Sequence, residues 1–152
     1  MFTLDHSLHL SIPLARAWRL LADVDRCQDW HPFVMLKRDP DDPRKLTYTH
    51  RRRGRPRFSA EAVLSKLDRH HAIAWRIGVP WLLEIEESFV VSKEAHGTCV
   101  VHSTRYAGLL ALAFVPFFRR GLHRMLMATD KSLAAHVKRG STIARYSQGK
   151  LK

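Results

Sequence analysis

"EIEESFVVSKEAHGTCVVHSTRY", residues Glu84 to Tyr106, decides how the rest of the chain is read. Two runs rich in β-branched and aromatic residues flank Glu94-Ala95-His96-Gly97, a short polar break ending in the glycine that a tight turn favours. Closing that turn sets Lys93 opposite Thr98. Val91 then faces Val100, Phe89 faces His102, Glu87 faces Thr104 and Ile85 faces Tyr106. Successive strand residues point to opposite sides, so all of these share one face of an antiparallel hairpin. Glu84, Glu86 and Ser88 fall on the other face, which reads as solvent chemistry. The inner face is apolar except for a few groups, and two of these, Glu87 and His102, are diagonal neighbours roughly 7 Å apart by cross-strand geometry.

The same texture extends upstream. Strands are expected at 34–38, 45–52, 57–67, 71–78, 82–93 and 98–107, with "DPDDPR", "RGRP", "LDRH", "GVPW" and "EAHG" as turn chemistry between them. Links this short make the sheet antiparallel. Ile73, Trp75 and Ile77 extend the inner face. Residues 2–12 alternate through Phe2, Leu4, Leu8, Leu10 and Ile12 and form a further strand. Ser11 and Pro13 then signal a helix carrying Leu14, Ala17, Trp18 and Leu21. A second short turn, "DRCQDW", is closed by His31-Pro32, because the residue before a proline avoids helical geometry.

Beyond Gly108 the period changes. Phe114, Phe118, Leu122, Met125, Thr129, Leu133 and Val137 make one helical stripe, with Pro116 either near its start or at a kink. A long sheet must cover its apolar face, and only this terminal helix is long enough to do so. The expected fold class is α+β: a curved antiparallel sheet of about seven strands wrapped around a long C-terminal helix, with two short helices after the first strand. Sheet and helix surfaces of this kind cannot close fully, so a space is expected between them. Residues 1–139 form the domain, and 140–152 read as a basic, flexible tail.

Composition narrows the function classes. Hydrophobic residues make up 45% of the 152, too many for a disordered chain. The apolar run from Leu109 to Phe118 is far short of the ~20 residues that span a bilayer. The N-terminus reads as a strand rather than a signal peptide. Cys27 and Cys99 have no metal-like spacing, and a reduced, cytoplasmic protein is expected. Phosphate-binding loops, dinucleotide loops, nucleophile elbows and zinc spacings do not occur, so neither cofactor nor metal is expected. The net charge of +12 favours an acidic partner: an anionic ligand, anionic lipid or nucleic acid.

"DVDRCQDWHPFV" (Asp23–Val34), "AIAWRIGVPWLLEIEESF" (Ala72–Phe89) and "GTCVVHSTRYAGLL" (Gly97–Leu110), followed by the long helix, resemble the START-like helix-grip superfamily, in its polyketide cyclase/dehydrase and lipid-transport branch. The resemblance covers about 135 residues in order. It implies a hydrophobic pocket between sheet and helix, and its members include carriers, aromatases and hydrolase-like activators, so it implies no single activity. Where relatives carry a histidine two places before the motif phenylalanine and a glutamate in the last strand, this sequence has Glu87 and Thr104.

The expected binding site follows. Trp75, Ile77, Ile85, Glu87, Phe89, His102, Thr104 and Tyr106 line the cavity from the sheet, and Phe118, Leu122 and Met125 from the helix. The ligand is small, hydrophobic or amphipathic, with an anionic end. An unpaired carboxylate there would cost several kcal/mol, so Glu87 is protonated, paired with His102 or wetted. The pair can be a satisfied internal contact, an anchor for a ligand's polar end, or a general acid and base in a cyclase-, dehydratase- or hydrolase-like enzyme. Trp75 can be core or ligand stacker; Trp18 and Trp30 are core.

Five arginines lie between Arg51 and Arg57, at the hairpin joining the third and fourth strands. The resemblance puts that hairpin at the pocket mouth, so Arg51, Arg52 and Arg53 form a rim with exposed Phe33 and Trp81. Such a rim could steer an anionic ligand, rest on an anionic membrane surface or be a solvated loop. Nucleic-acid binding is the weaker alternative, because interleaved aromatics and a recognised motif are missing.

Overall fold

A computed structural model describes residues 1–149. The elements run β1 (Phe2–Leu10), α1 (Leu14–Ala22), a 3-10 turn (Val24–Asp29), β2 (Val34–Arg38), β3 (Lys45–Arg52), β4 (Arg55–Asp68), β5 (Ala72–Val79), β6 (Leu83–Glu94), β7 (Gly97–Ala107) and α2 (Leu109–Gly149). The seven strands make one antiparallel sheet in the order β1-β7-β6-β5-β4-β3-β2. The β6–β7 register is the expected one, with Lys93 opposite Thr98, Phe89 opposite His102 and Glu87 opposite Thr104. Register shifts at His50/Arg51 and between Leu64 and Lys66 bend the strands on the β2 side, as bulges do.

Local chemistry sets the turns. Arg53 (φ 53°) and Gly54 (φ 74°) both adopt the left-handed conformation, which gives the β3–β4 hairpin the tight two-residue turn whose twist matches its strands. Glu84, expected in solvent, is only 8% exposed. It is the ion-pair partner of Arg76 on the outer face, at 3.6 Å.

Helix α2 starts at Leu109, ahead of Pro116, which the helix incorporates. Its first two N–H groups donate to the β5–β6 turn, Leu109 to the Trp81 carbonyl at 3.1 Å and Leu110 to the Leu82 carbonyl at 2.9 Å. These bonds satisfy donors that a helix start otherwise leaves open. Residues 140–149 of the stretch expected to be a flexible tail are helical and continue α2. Residues 150–152 of that stretch lie outside the described residues. Among the described residues no helix is long and apolar enough to cross a membrane.

Two apolar clusters hold the layers together. The larger joins α1, the 3-10 turn and the inner sheet face to Leu133 and Val137 of α2, and includes Trp18, Trp30, Trp75 and Phe89. The smaller packs Leu4 and Tyr106 against Ala111, Val115 and Leu126. At the start of α2, Ala111 and Val115 pack into this cluster, Phe114 faces the cavity, and Phe118, expected on the inward stripe, does not. The small side chains let the helix close on the sheet, and Phe118, 54% exposed, stacks outside on Phe114.

Gly108 makes the joint between β7 and α2 possible. Its φ is +98°, and a Cβ there would lie 2.6 Å from the Leu82 backbone. Gly108→Ala is expected to lower unfolding stability by more than about 2 kcal/mol, through left-handed strain and a backbone clash, as read from urea denaturation.

Candidate functional site

A cavity of about 250 Å³ lies between sheet and α2. Ile77, Ile85, Glu87, His102, Thr104, Tyr106, Leu122 and Met125 line it as expected, and Phe33 lines it as well. Trp75 and Phe89 do not: they are packed into the larger cluster, with ring centroids 5.7 Å apart. Phe118 is outside. His31, Tyr48, His50, Phe58 and Phe114 complete much of the wall.

Glu87 reaches inward from β6 and His102 from β7, where Phe89 stacks on the imidazole at 4.2 Å. The Phe33 backbone N–H donates to His31 Nδ1 at 3.2 Å, which assigns that ring's proton to Nε2. His31 Nε2 therefore donates to Glu87 Oε1 at 2.9 Å, and His102 Nε2 meets the same oxygen at 2.9 Å. On its other side His102 Nδ1 lies 2.7 Å from Asp130 Oδ1, and His6 Nδ1 lies 2.6 Å from Asp130 Oδ2. The result is a line of five groups, His31–Glu87–His102–Asp130–His6, running from the cavity to β1.

Both nitrogens of His102 face carboxylates, so the imidazolium satisfies every contact. Burial alone would lower its pKa, but the hydrogen bonds that it donates to Asp130 and Glu87, with their charges, outweigh burial and raise it to about 9. Burial pushes the Glu87 carboxyl up. His31 and His102 together overcome that and hold it well below the usual carboxylate range. Burial, then the Glu87 charge, raises the Tyr106 hydroxyl to about 12 and the Tyr48 hydroxyl further, so both remain O–H donors. Among the described residues no protein hydrogen bond engages Glu87 Oε2, Thr104 Oγ1 or these two hydroxyls. With the His50 ring, they are polar capacity that the wall leaves unused.

Glu87 and His102 are on the face that the β6–β7 register predicts; the groups around them, His31, Tyr48, Asp130 and His6, are not among the expected site residues. His6 carried a signal, since it falls on the same alternation as Leu4, Leu8 and Leu10. Asp130 is an acid set between Leu126 and Leu133 on the inward helix stripe. His31 and Tyr48 carried none, because their place depends on how the 3-10 turn and β3 fold over the sheet.

The expected arginine rim divides. Arg52 and Arg53 are exposed. Arg51 is not a rim residue: its Nη2 donates to the Gln28 carbonyl at 3.2 Å and the His31 carbonyl at 2.8 Å, and its N–H to the Phe33 carbonyl at 2.7 Å. It clamps the segment that carries His31. Phe33 is half-buried rather than exposed, whereas Trp81 is exposed as expected.

Two expectations follow. His102 binds its proton more tightly folded than unfolded. Its stabilisation is therefore complete below its ordinary value of 6.5 and is lost as pH rises toward 9. Urea denaturation should show a fall on the order of 2–3 kcal/mol across that window, flattened in His102→Gln. Arg51→Ala should lower stability by about 1–3 kcal/mol through the two carbonyls it abandons. Arg52→Ser with Arg53→Ser should stay within about 0.5 kcal/mol of the parent in the same assay.

Among solved structures the fold is shared with the di-domain ARO/CYC BexL from the BE-7585A biosynthetic pathway, at TM-score 0.74 and 15% identity over 91% of this chain and 47% of that one. The chain spans about half the length of that protein. A START superfamily protein from Mycobacterium smegmatis matches at TM-score 0.71 and 13% identity, over 90% of this chain and 97% of that one. A protein from Thermus thermophilus matches at TM-score 0.65 and 17% identity, over 92% of this chain and 99% of that one. No curated protein matches the chain in sequence. The family described as polyketide cyclase/dehydrase and lipid transport matches residues 1–138, and the chain belongs to that family.

Proposed function

We propose that the protein binds a compact, largely apolar molecule whose polar end donates hydrogen bonds. The observation that carries this reading is an apolar cavity with one ionised acceptor, Glu87 Oε2, and the Thr104, Tyr48 and Tyr106 hydroxyls left unpaired beside it. Its volume of about 250 Å³ lies below the ~300–1,000 Å³ of drug-sized sites, which suits a one- or two-ring molecule. Aromatic side chains from Phe33, Tyr48, Phe58, Tyr106 and Phe114 supply faces against which such rings stack. Apolar burial provides the affinity at roughly 25 cal/mol per Å², and the polar end sets orientation. The anionic end expected from net charge is at odds with this wall, because a carboxylate on the ligand would meet the Glu87 charge.

A cyclase- or dehydratase-like enzyme using the same cavity is the second reading, favoured by the Glu87–His102–Asp130 line. Acid–base groups work best with a pKa near the operating pH. Glu87 is held far below it, and both His102 nitrogens are already engaged. Binding is therefore the primary reading. The two thiols, Cys27 and Cys99, are unpaired, in keeping with a reducing, cytoplasmic setting.

Calorimetric titration with 2-naphthol and 2-naphthoate at neutral pH tests the reading. The same rings carry a donor in one and an anion in the other. Naphthol should bind at least about tenfold more tightly, a difference of one good hydrogen bond to a charged group. Glu87→Gln should erase most of that preference. Tighter binding of naphthoate to the parent protein would refute the proposal. If the second reading held, Glu87→Gln would abolish turnover of a bound substrate while leaving retention intact.

A further inference from the structure

The first ten residues of α2, Leu109–Phe118, read LLALAFVPFF and hold no ionisable group. A helical stretch apolar on every side belongs in an interior. Here only Ala111 and Val115 are buried, while Leu109 is 65%, Leu112 57% and Phe117 85% exposed. Trp81, 68% exposed, adjoins them through the bond between its carbonyl and the Leu109 N–H. Phe58 and Phe114 are exposed too and also line the cavity, so the apolar patch is continuous with the cavity mouth.

Positive charge fringes this patch on two sides. Arg119, Arg120 and Arg124 follow along α2 and share a surface depression with Leu4. Arg52, Arg53, Arg55 and Arg57 are exposed around the tip of the β3–β4 hairpin. From Leu109 to Thr129, and from Arg51 to Ala60, there is no acidic residue.

We propose that this end of the molecule docks on an anionic lipid bilayer, with Trp81, Leu109, Leu112 and Phe117 entering the headgroup–acyl boundary and the flanking arginines lying on the lipid phosphates. Exposed apolar and aromatic side chains beside a basic flank are the pattern of an interfacial helix. A contiguous apolar patch of this kind marks either a membrane or a protein contact. A second copy of the chain is the other occupant to weigh. Symmetric pairing through this patch would set the same arginines against each other on two molecules of net charge +12. An anionic bilayer supplies the opposite charge along the whole fringe.

Vesicle co-sedimentation decides between them. The protein should bind vesicles of phosphatidylcholine mixed with phosphatidylglycerol, bind phosphatidylcholine alone weakly, and release as salt is raised. Trp18, Trp30 and Trp75 are buried, so a blue shift in emission on binding should vanish in Trp81→Phe. Phe117→Ser, with an unchanged melting temperature, should weaken binding about tenfold. Arg119→Ser and Arg120→Ser should each weaken it about fivefold. Equal binding to neutral vesicles, or full binding by Phe117→Ser, would overturn the proposal. So would a dimer in sedimentation equilibrium that Phe117→Ser dissolves while vesicles leave the parent protein in the supernatant.

Discussion

One imidazole, held between carboxylates from two different layers, ties the sheet of this protein to its helix. His102 projects from β7, Glu87 from the neighbouring β6 and Asp130 from α2. Buried ions are tolerated only when their hydrogen-bonding capacity is met, and removing one partner from such a set commonly costs about 3–5 kcal/mol. Unlike an apolar contact, this one cannot relax by repacking. It therefore fixes the depth at which α2 crosses the sheet. On one side of it the larger apolar cluster closes around Leu133 and Val137; on the other the smaller one closes around Ala111 and Val115. The cavity adjoins this polar line and draws Val34 from the first cluster and Tyr106 and Leu126 from the second.

The same contact limits the chemistry of Glu87. One carboxylate oxygen is committed to His31 and His102, and among the described residues the other has no protein donor. A carboxylate so firmly ionised accepts hydrogen bonds well and takes up protons poorly. It suits recognition of a donor group better than proton transfer, and this is why the binding reading is preferred to the enzymatic one. His31 depends in turn on Arg51, whose guanidinium holds the 28–33 segment by two of its carbonyls. An arginine that looks like part of a charged surface run is thus a support for the polar end of the cavity.

What was legible in the sequence is what local rules determine. The β6–β7 register followed from one short turn and period-two alternation, and it placed Glu87, His102, Thr104 and Tyr106 on one face. β2 and β3 were read to their end residues because proline, aspartate and arginine-glycine turns bracket them. What was not legible depends on packing between distant elements. Alternation puts Trp75 and Phe89 on the inner face but does not say whether that face meets core or cavity at their level, and α1 with the 3-10 turn covers them. Phe118 left the helical stripe because the small Ala111 and Val115 permit the close approach of α2 to the sheet. His6 could have been found from the alternation of β1, whereas Asp130 acquires its meaning only beside His102 and His6.

The fold leaves a cavity between sheet and helix, and this sequence supplies its polar groups. Identities of 13–17% to structures of the same fold show how little of the sequence must be retained for the sheet to wrap the helix. The resemblance implies a histidine at the position of Glu87 and a glutamate at that of Thr104. Here the carboxylate stands on β6 and the imidazole on β7, one pair along the ladder, and the two are in contact. The acidic group faces the cavity, and the basic one is buried against Asp130. Under the binding reading, that arrangement is what makes the wall an acceptor of hydrogen bonds. It also leaves the positive charge of the molecule on the outside, along the hairpin and the flank of α2, where it meets whatever surface the protein approaches rather than whatever it encloses.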